Sequence, residues 1–167
     1  MLATKRLTLV RHARAEPAFA DAKDWDRLLD RRGHADAEEM GRRLQQRKLK
    51  PTLLITSPAR RALKTAQIIA TQMRYPVDRL REVERLYHAG PADLLKVIHE
   101  MAASETHLML VGHNPGISEF ADKLSPERSI EMIPTCGVVT AEFPIADWSE
   151  LQFGTALAVE FDYPGAT

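Results

Sequence analysis

The chain is poor in cysteine, has no excess charge of either sign and carries no long apolar run. One cysteine, Cys136, stands among 167 residues, which excludes an internal disulfide and any multi-cysteine metal site. Lys plus Arg equals Asp plus Glu at 23 each. No global basic field therefore marks a nucleic-acid or membrane binder, and any attraction for anions is local. The apolar run Leu7–Val10 is too short for a signal-peptide core or a membrane span, and Arg11 and His12 end it. A soluble, cytoplasmic protein is expected. No glycine-rich Walker pattern occurs, so nucleotide binding by that route is not expected. There is no internal repeat, low-complexity tract or dividing linker, and residues 1–167 are expected to form one domain.

Strand and helix signals alternate along the chain. Leu7–Val10 is leucine and β-branched, the composition of a buried strand. The polar stretch from Ala13 to Asp30 is long for a loop in a compact domain, which points to function or to a lid. Asp30 suits the N-cap of a helix from about Arg31 to Gln46, with Ala35, Met40 and Leu44 on its buried side. Leu53, Leu54 and Ile55 form a short strand. Ser57-Pro58 then supplies a cap and a first-turn proline for a helix that buries Ala62, Ala66, Ile69 and Ala70. Leu94–Met101 is helical, His107–Val111 is an apolar strand, and Asn114-Pro115-Gly116 opens a further helix with the same device. Val138–Phe143 and Ala156–Phe161 close the chain as strands. This order predicts an α/β sandwich with a largely parallel sheet.

The chemistry-bearing residues sit where strands end. Arg11-His12 ends the first strand, Ser57 to Arg61 follow the second, and Gly112-His113-Asn114-Pro115-Gly116 follow the later one. Carboxyl ends of parallel strands share one edge, where ligands bind. Two histidines and at least two arginines are therefore expected in one pocket, beside helix N-termini that offer free N–H groups. Guanidinium groups match phosphate oxygens with paired hydrogen bonds. Imidazole titrates near neutral pH, so one histidine can be a neutral nucleophile while another is a cationic donor. Phosphoryl transfer needs in-line positioning and neutralised equatorial oxygens, and this set supplies both without a metal. Each piece alone has a plainer explanation: a solvated strand end, a helix start, a histidine in a tight turn. Their joint occurrence at three matching junctions favours a site.

Leu9-Val10-Arg11-His12-Ala13, Ser57-Pro58-Ala59-Arg60-Arg61-Ala62 with Thr65-Ala66, and Val111-Gly112-His113-Asn114-Pro115 resemble, in order, the three motifs of the histidine phosphatase superfamily. Leu29–Gly33 and Glu84-Arg85-Leu86-Tyr87 extend the likeness. The short chain and the Gly-His-Asn-Pro-Gly form resemble the SixA-like phosphohistidine phosphatases. The resemblance implies a phosphoglycerate mutase-like three-layer sandwich with a mostly parallel central sheet. It implies that His12 becomes phosphorylated, that Arg11 and Arg61 clamp the phosphate and that His113 stabilises the transferred group, with Ser57 and Asn114 as further substrate contacts. Arg60 falls on a variable position and is expected at the surface or as a secondary contact. Ala13 replaces the usual glycine, which a negative φ tolerates.

The general acid is the open position. His88 and Glu84 are the candidates, and the plainer reading of Glu84 is a surface carboxylate paired with Arg81 or Arg85. His34, His99 and His107 fit no motif. The expected function is hydrolysis of a phosphoryl group from a histidine-phosphorylated protein, with no metal or other cofactor and no nucleic acid or membrane partner. The alternatives are a phosphatase of small phosphate monoesters, resembling the mutase-like branch, and an inactive phosphate-sensing module.

Overall fold

The computed structural model describes residues 3–127 and 130–166. The strands are β1 (Lys5–Arg11), β2 (Leu53–Thr56), β3 (Arg81–Glu82), β4 (His107–Gly112), β5 (Val138–Phe143) and β6 (Ala158–Asp162). The helices are α1 (Arg31–Gln46), α2 (Arg60–Met73), α3 (Pro91–Met101) and α4 (Gly116–Asp122). One six-stranded sheet runs in the order β3-β2-β4-β1-β5-β6. The first four of these are mutually parallel, while β5 lies antiparallel to β1 and β6 antiparallel to β5. The sheet thus departs from parallel pairing only after β4, where the seven-residue α4 is the only α-helix among the described residues before β5.

Successive side chains of a strand point to opposite faces, so each inner strand feeds two cores. Leu7, Leu9, Leu108 and Leu110 pack with Leu94, Ile98, Ile117 and Phe120 of α3 and α4. Val10, Leu54, Met109 and Val111 pack on the other face with Met40, Leu44, Ala66 and Ile69 of α1 and α2. The result is three layers, helix on sheet on helix.

Several local expectations needed adjustment. Asp30 does cap α1, accepting from Gly33 N at 2.7 Å. The buried stripe of α1, however, runs through Ala37, Met40, Gly41 and Leu44, while Ala35 is exposed. Counting back from Leu44 by helical spacing reaches Ala37, not Ala35. Ser57 does not cap α2, whose N-cap is Ala59; the serine hydroxyl faces another partner, described below. Short β3, only two exposed residues, carries no apolar signal that a sequence reading could detect. Among the described residues no helix is long and apolar enough to cross a membrane.

Strand order positions the site. Because β4 lies between β2 and β1, the carboxyl ends of all three meet on one edge. Backbone bonds lace the junctions together: His12 N donates to Gly112 O at 3.0 Å and Ser57 N to Val111 O at 3.0 Å. From the β5 side, Arg11 N donates to Gly137 O at 3.1 Å.

Candidate active site

His12 leaves the end of β1 and is nearly buried, at 9% exposure. Its Nδ1 lies 2.8 Å from the Ala13 carbonyl oxygen. A carbonyl only accepts, so Nδ1 carries the proton of the neutral ring and Nε2 keeps its lone pair. Ala13 is held in turn: its N–H donates to Thr65 Oγ1 at 2.9 Å, and that hydroxyl donates to Arg61 O at 2.7 Å. The second motif therefore fixes the backbone that orients the histidine of the first. Ala13 lies outside the positive-φ residues, which explains why alanine serves there.

Burial is the main cause that pushes His12 down to about 4, with the positive charges of Arg61, Arg11 and Arg27 adding to it. His113 is pushed down to about 3, chiefly by burial and then by His12 and Arg61. The two ring centroids are 5.2 Å apart. Both rings are accordingly neutral near pH 7, which corrects the simple division into one neutral and one cationic histidine. A second proton on either ring needs an anion beside it.

Ser57 Oγ lies 2.7 Å from His113 Nε2 and accepts from Ala59 N at 3.3 Å. Accepting from Ala59 N leaves the hydroxyl a proton and a second lone pair, so it pairs with Nε2 in either tautomer of His113; in the one where Ser57 donates, the neutral ring carries its proton on Nδ1. That Nδ1 is buried and has no protein partner among the described residues, and the same holds for Arg11 Nε and Arg61 Nε. Buried polar nitrogens without a partner are costly and rare in folded proteins. Three of them here belong to the residues that surround His12.

The arginines differ in how they are held. Arg11 Nη1 donates to Ile133 O at 3.0 Å. Arg61 is buried, at 5% exposure, and reaches Asp24 through both Nη atoms, to the backbone oxygen at 2.7 Å and to Oδ2 at 2.9 Å. Arg60, next in the chain, is exposed and pairs with Asp26 at 3.2 Å. It lines a cavity of about 360 Å³ with Leu28, His34 and Lys64 that includes none of the clustered residues. A smaller cavity of about 150 Å³, lined by His88, His113, Asn114 and Glu119, opens beside the cluster. Cavity size is thus no guide to the chemistry here, and the orphaned nitrogens are the better one.

Asn114 faces inward by another route. Its Oδ1 accepts from Ser118 N and Oγ at 3.2 and 2.6 Å, and its Nδ2 donates to Ile133 O at 3.1 Å. Asn114 therefore ties α4 to the same carbonyl that receives Arg11. Both acid candidates are exposed, and of the two His88 lines the smaller cavity. The expected pairing of Glu84 also fails, because Arg85 pairs with Glu100 at 2.5 Å instead. His107 is buried at the start of β4, 2.7 Å from Thr8 Oγ1, and His99 lies 2.9 Å from Leu151 O. Neither belongs to the site.

Residues 7–90 match the family described as histidine phosphatase superfamily, branch 1. The chain belongs to this superfamily. An uncharacterised protein of Mycobacterium tuberculosis (strain CDC 1551) is 30% identical over 165 residues, covering 93% of this chain and 99% of that one. An uncharacterised chloroplastic protein of Arabidopsis thaliana is 26% identical, covering 88% of this chain and 70% of that one. Among solved structures, one from Agrobacterium tumefaciens, provisionally named phosphohistidine phosphatase SixA, aligns with a TM-score of 0.77 at 25% identity, over 92% of this chain and 97% of that one. The protein histidine phosphatase SixA complexed with tungstate aligns at 0.72 and 20% identity, over 95% and 94% of the two chains. A phosphoglycerate mutase of Bacillus anthracis shares the fold at a TM-score of 0.64 and 14% identity, over 89% and 95%. The α/β fold is thus phosphoglycerate mutase-like, and membership of the histidine phosphatase superfamily supports phosphatase activity.

The clustered set contains partners that the sequence reading did not place in the site. Asp24, Arg27 and Tyr87 join it, Tyr87 through its hydroxyl 2.7 Å from Asp24 Oδ2 and its ring centroid 5.5 Å from that of His113. For Asp24 and Arg27 the only signal in the sequence was the unusual length of the polar stretch from Ala13 to Asp30.

Proposed function

We propose that the protein is a phosphohistidine phosphatase that acts on a histidine-phosphorylated protein through a phosphorylated His12. The observation that carries this reading is His12, its Nε2 left with a lone pair, clustered with Arg11, Arg61 and His113, each of which keeps a buried nitrogen without a partner among the described residues. Nε2 attacks the phosphorus in line, the P–N bond to the substrate imidazole breaks, and the phosphoryl group passes to His12. Arg11 and Arg61 neutralise its oxygens, and His113 donates from Nδ1. Ser57 holds His113 in that tautomer, and Asn114 holds the turn that presents it. Water then attacks the same phosphorus, releasing orthophosphate and restoring the His12 lone pair.

The leaving group explains why no committed acid is required. A phosphohistidine protonated on its other ring nitrogen leaves as neutral imidazole, with no proton from the protein. An alkyl phosphate leaves as an alkoxide and needs one. Of the two candidates, His88 is the one placed to assist, and Glu84 takes no part. Among the described residues no group of three or more His, Cys, Asp or Glu side chains is arranged to hold a metal ion, and the arginines supply the positive charge.

Rapid quench with a labelled phosphohistidine peptide tests this reading. Wild type should accumulate an acid-labile phosphoenzyme that His12→Ala lacks, and turnover should survive exhaustive chelation. Catalytic efficiency should rank the phosphohistidine peptide above an aryl phosphate and the aryl phosphate above phosphoglycerate. Fast alkyl-ester hydrolysis would instead favour a phosphatase of small monoesters. Turnover without a phosphoenzyme would overturn His12 as nucleophile, and absence of both would leave only an anion-binding module.

A further inference from the structure

Arg61 is not a free cation waiting for substrate. Its two Nη atoms, the pair that fits two oxygens of one anion, are both engaged by Asp24. The carboxylate of Asp24 is held by further donors, Tyr87 OH at 2.7 Å and Arg27 Nη1 at 3.2 Å. These bonds, that from Tyr87 foremost, hold its carboxyl well below the usual carboxylate range. Asp24 thus remains an anion at any working pH.

The anchorage of Asp24 is light by comparison. It begins a single 3-10 turn, Asp24–Asp26, in the long connection between β1 and α1, and its side chain is 45% exposed. Arg61, in contrast, stands on the first turn of α2 with only 6% of its side chain exposed. If the pair separates, the carboxylate can turn into water at little cost, while the guanidinium cannot leave its place.

A phosphoryl group bound at Arg61 would ask for the same Nη atoms. We propose that Asp24 is an internal competitor for the phosphoryl group: its carboxylate on Nη2 and its backbone oxygen on Nη1 occupy the Arg61 fork, yield to the incoming substrate and return to help expel orthophosphate. This rests on the phosphate-binding reading given above. The contact keeps a buried arginine paired between turnovers and limits how tightly the product is retained. The opposite role, an orienting partner that stays on Arg61 throughout, predicts effects of the opposite sign.

The experiment is calorimetric binding of inorganic phosphate to the whole protein, with product-inhibition kinetics on an aryl phosphate, for wild type, Asp24→Asn and Asp24→Ala. Both variants should bind phosphate more tightly by about tenfold or more, the range of one charge-assisted hydrogen bond. Their KM and product-inhibition constants should fall together. Equal or weaker phosphate binding by both folded variants would overturn the competitor role and make Asp24 an orienting partner of Arg61. A loss of kcat with phosphate affinity unchanged would overturn it too, in favour of a proton donor. If wild type itself fails to bind phosphate or tungstate, the phosphate-site reading falls and takes this one with it.

Discussion

At His12 two demands pull against each other: the ring must keep a lone pair at neutral pH, yet it must stand among arginines that hold the substrate. Burial and those same arginines satisfy both, because each disfavours a second proton and so pushes the ring down to about 4. Activity that depends on neutral His12 is therefore lost as pH falls through about 4, not through 6.5, the ordinary value for the ring. A kcat/KM profile on the acid side, with the fold monitored in parallel, checks this; a fall centred near 6.5 would contradict it. The arginines permit a second residue-scale prediction. Arg61→Lys keeps charge but loses the planar fork, and should cost far more activity than Arg60→Lys, whose side chain points to Asp26. His12, Arg11, Arg61 and His113 were legible in the sequence because each lies within a contiguous motif at a strand end. Asp24 was not, because its bonds span 37 residues to Arg61 and 63 to Tyr87, and no local pattern encodes such a pair.

Among the elements, α4 shows how closely the site depends on packing. A Cβ on Gly116 would lie 1.9 Å from Ala89 O, so the first turn of α4 rests directly on the turn that carries His88. Gly116→Ala must push these two segments apart. The expected cost is about 1–3 kcal/mol of stability, read from urea denaturation. A loss of activity larger than the unfolded fraction explains should accompany it, since Asn114 and His113 immediately precede the helix. Unchanged kinetics at reduced stability would mean that the third motif is held independently of α4. The same scale shows what periodicity can and cannot reveal. Helix α1 was recovered from its cap and spacing, and β1, β2, β4 and β5 from their apolar runs. The closing strand expected at Ala156–Phe161 appears as β6, two residues later at its start, but two-residue β3 and the antiparallel direction of β5 and β6 were not recovered, because the first has no pattern and the second depends on partners chosen across the sheet.

For the molecule as a whole, two buried histidines and one half-buried make stability depend on mild acid. His12, His107 and His113 lie at about 4, about 4 and about 3, against an ordinary value of 6.5. Above pH 6.5 the rings are neutral in folded and unfolded chains alike and contribute nothing to the pH dependence. As pH falls below that value the unfolded chain takes up protons that the folded one refuses, so stability declines toward the folded values. Urea midpoints should drop between about pH 7 and pH 5, and less steeply in a His12→Asn, His113→Asn variant. A flat profile in wild type would argue against neutral buried rings. The sheet order has a further consequence, for the chain while it is still being made. Strands β1 and β2 do not touch each other; β4, at His107–Gly112, is the strip that joins them. A nascent chain that has emerged only as far as α3 already carries His12, Arg11 and Arg61, yet lacks the strand that sets β1 and β2 side by side and the His113 that follows it. It also presents the unpaired edges of two strongly apolar strands. Ribosome and chaperone thus meet a chain whose ability to grip phosphate arrives late, with the insertion of one central strand.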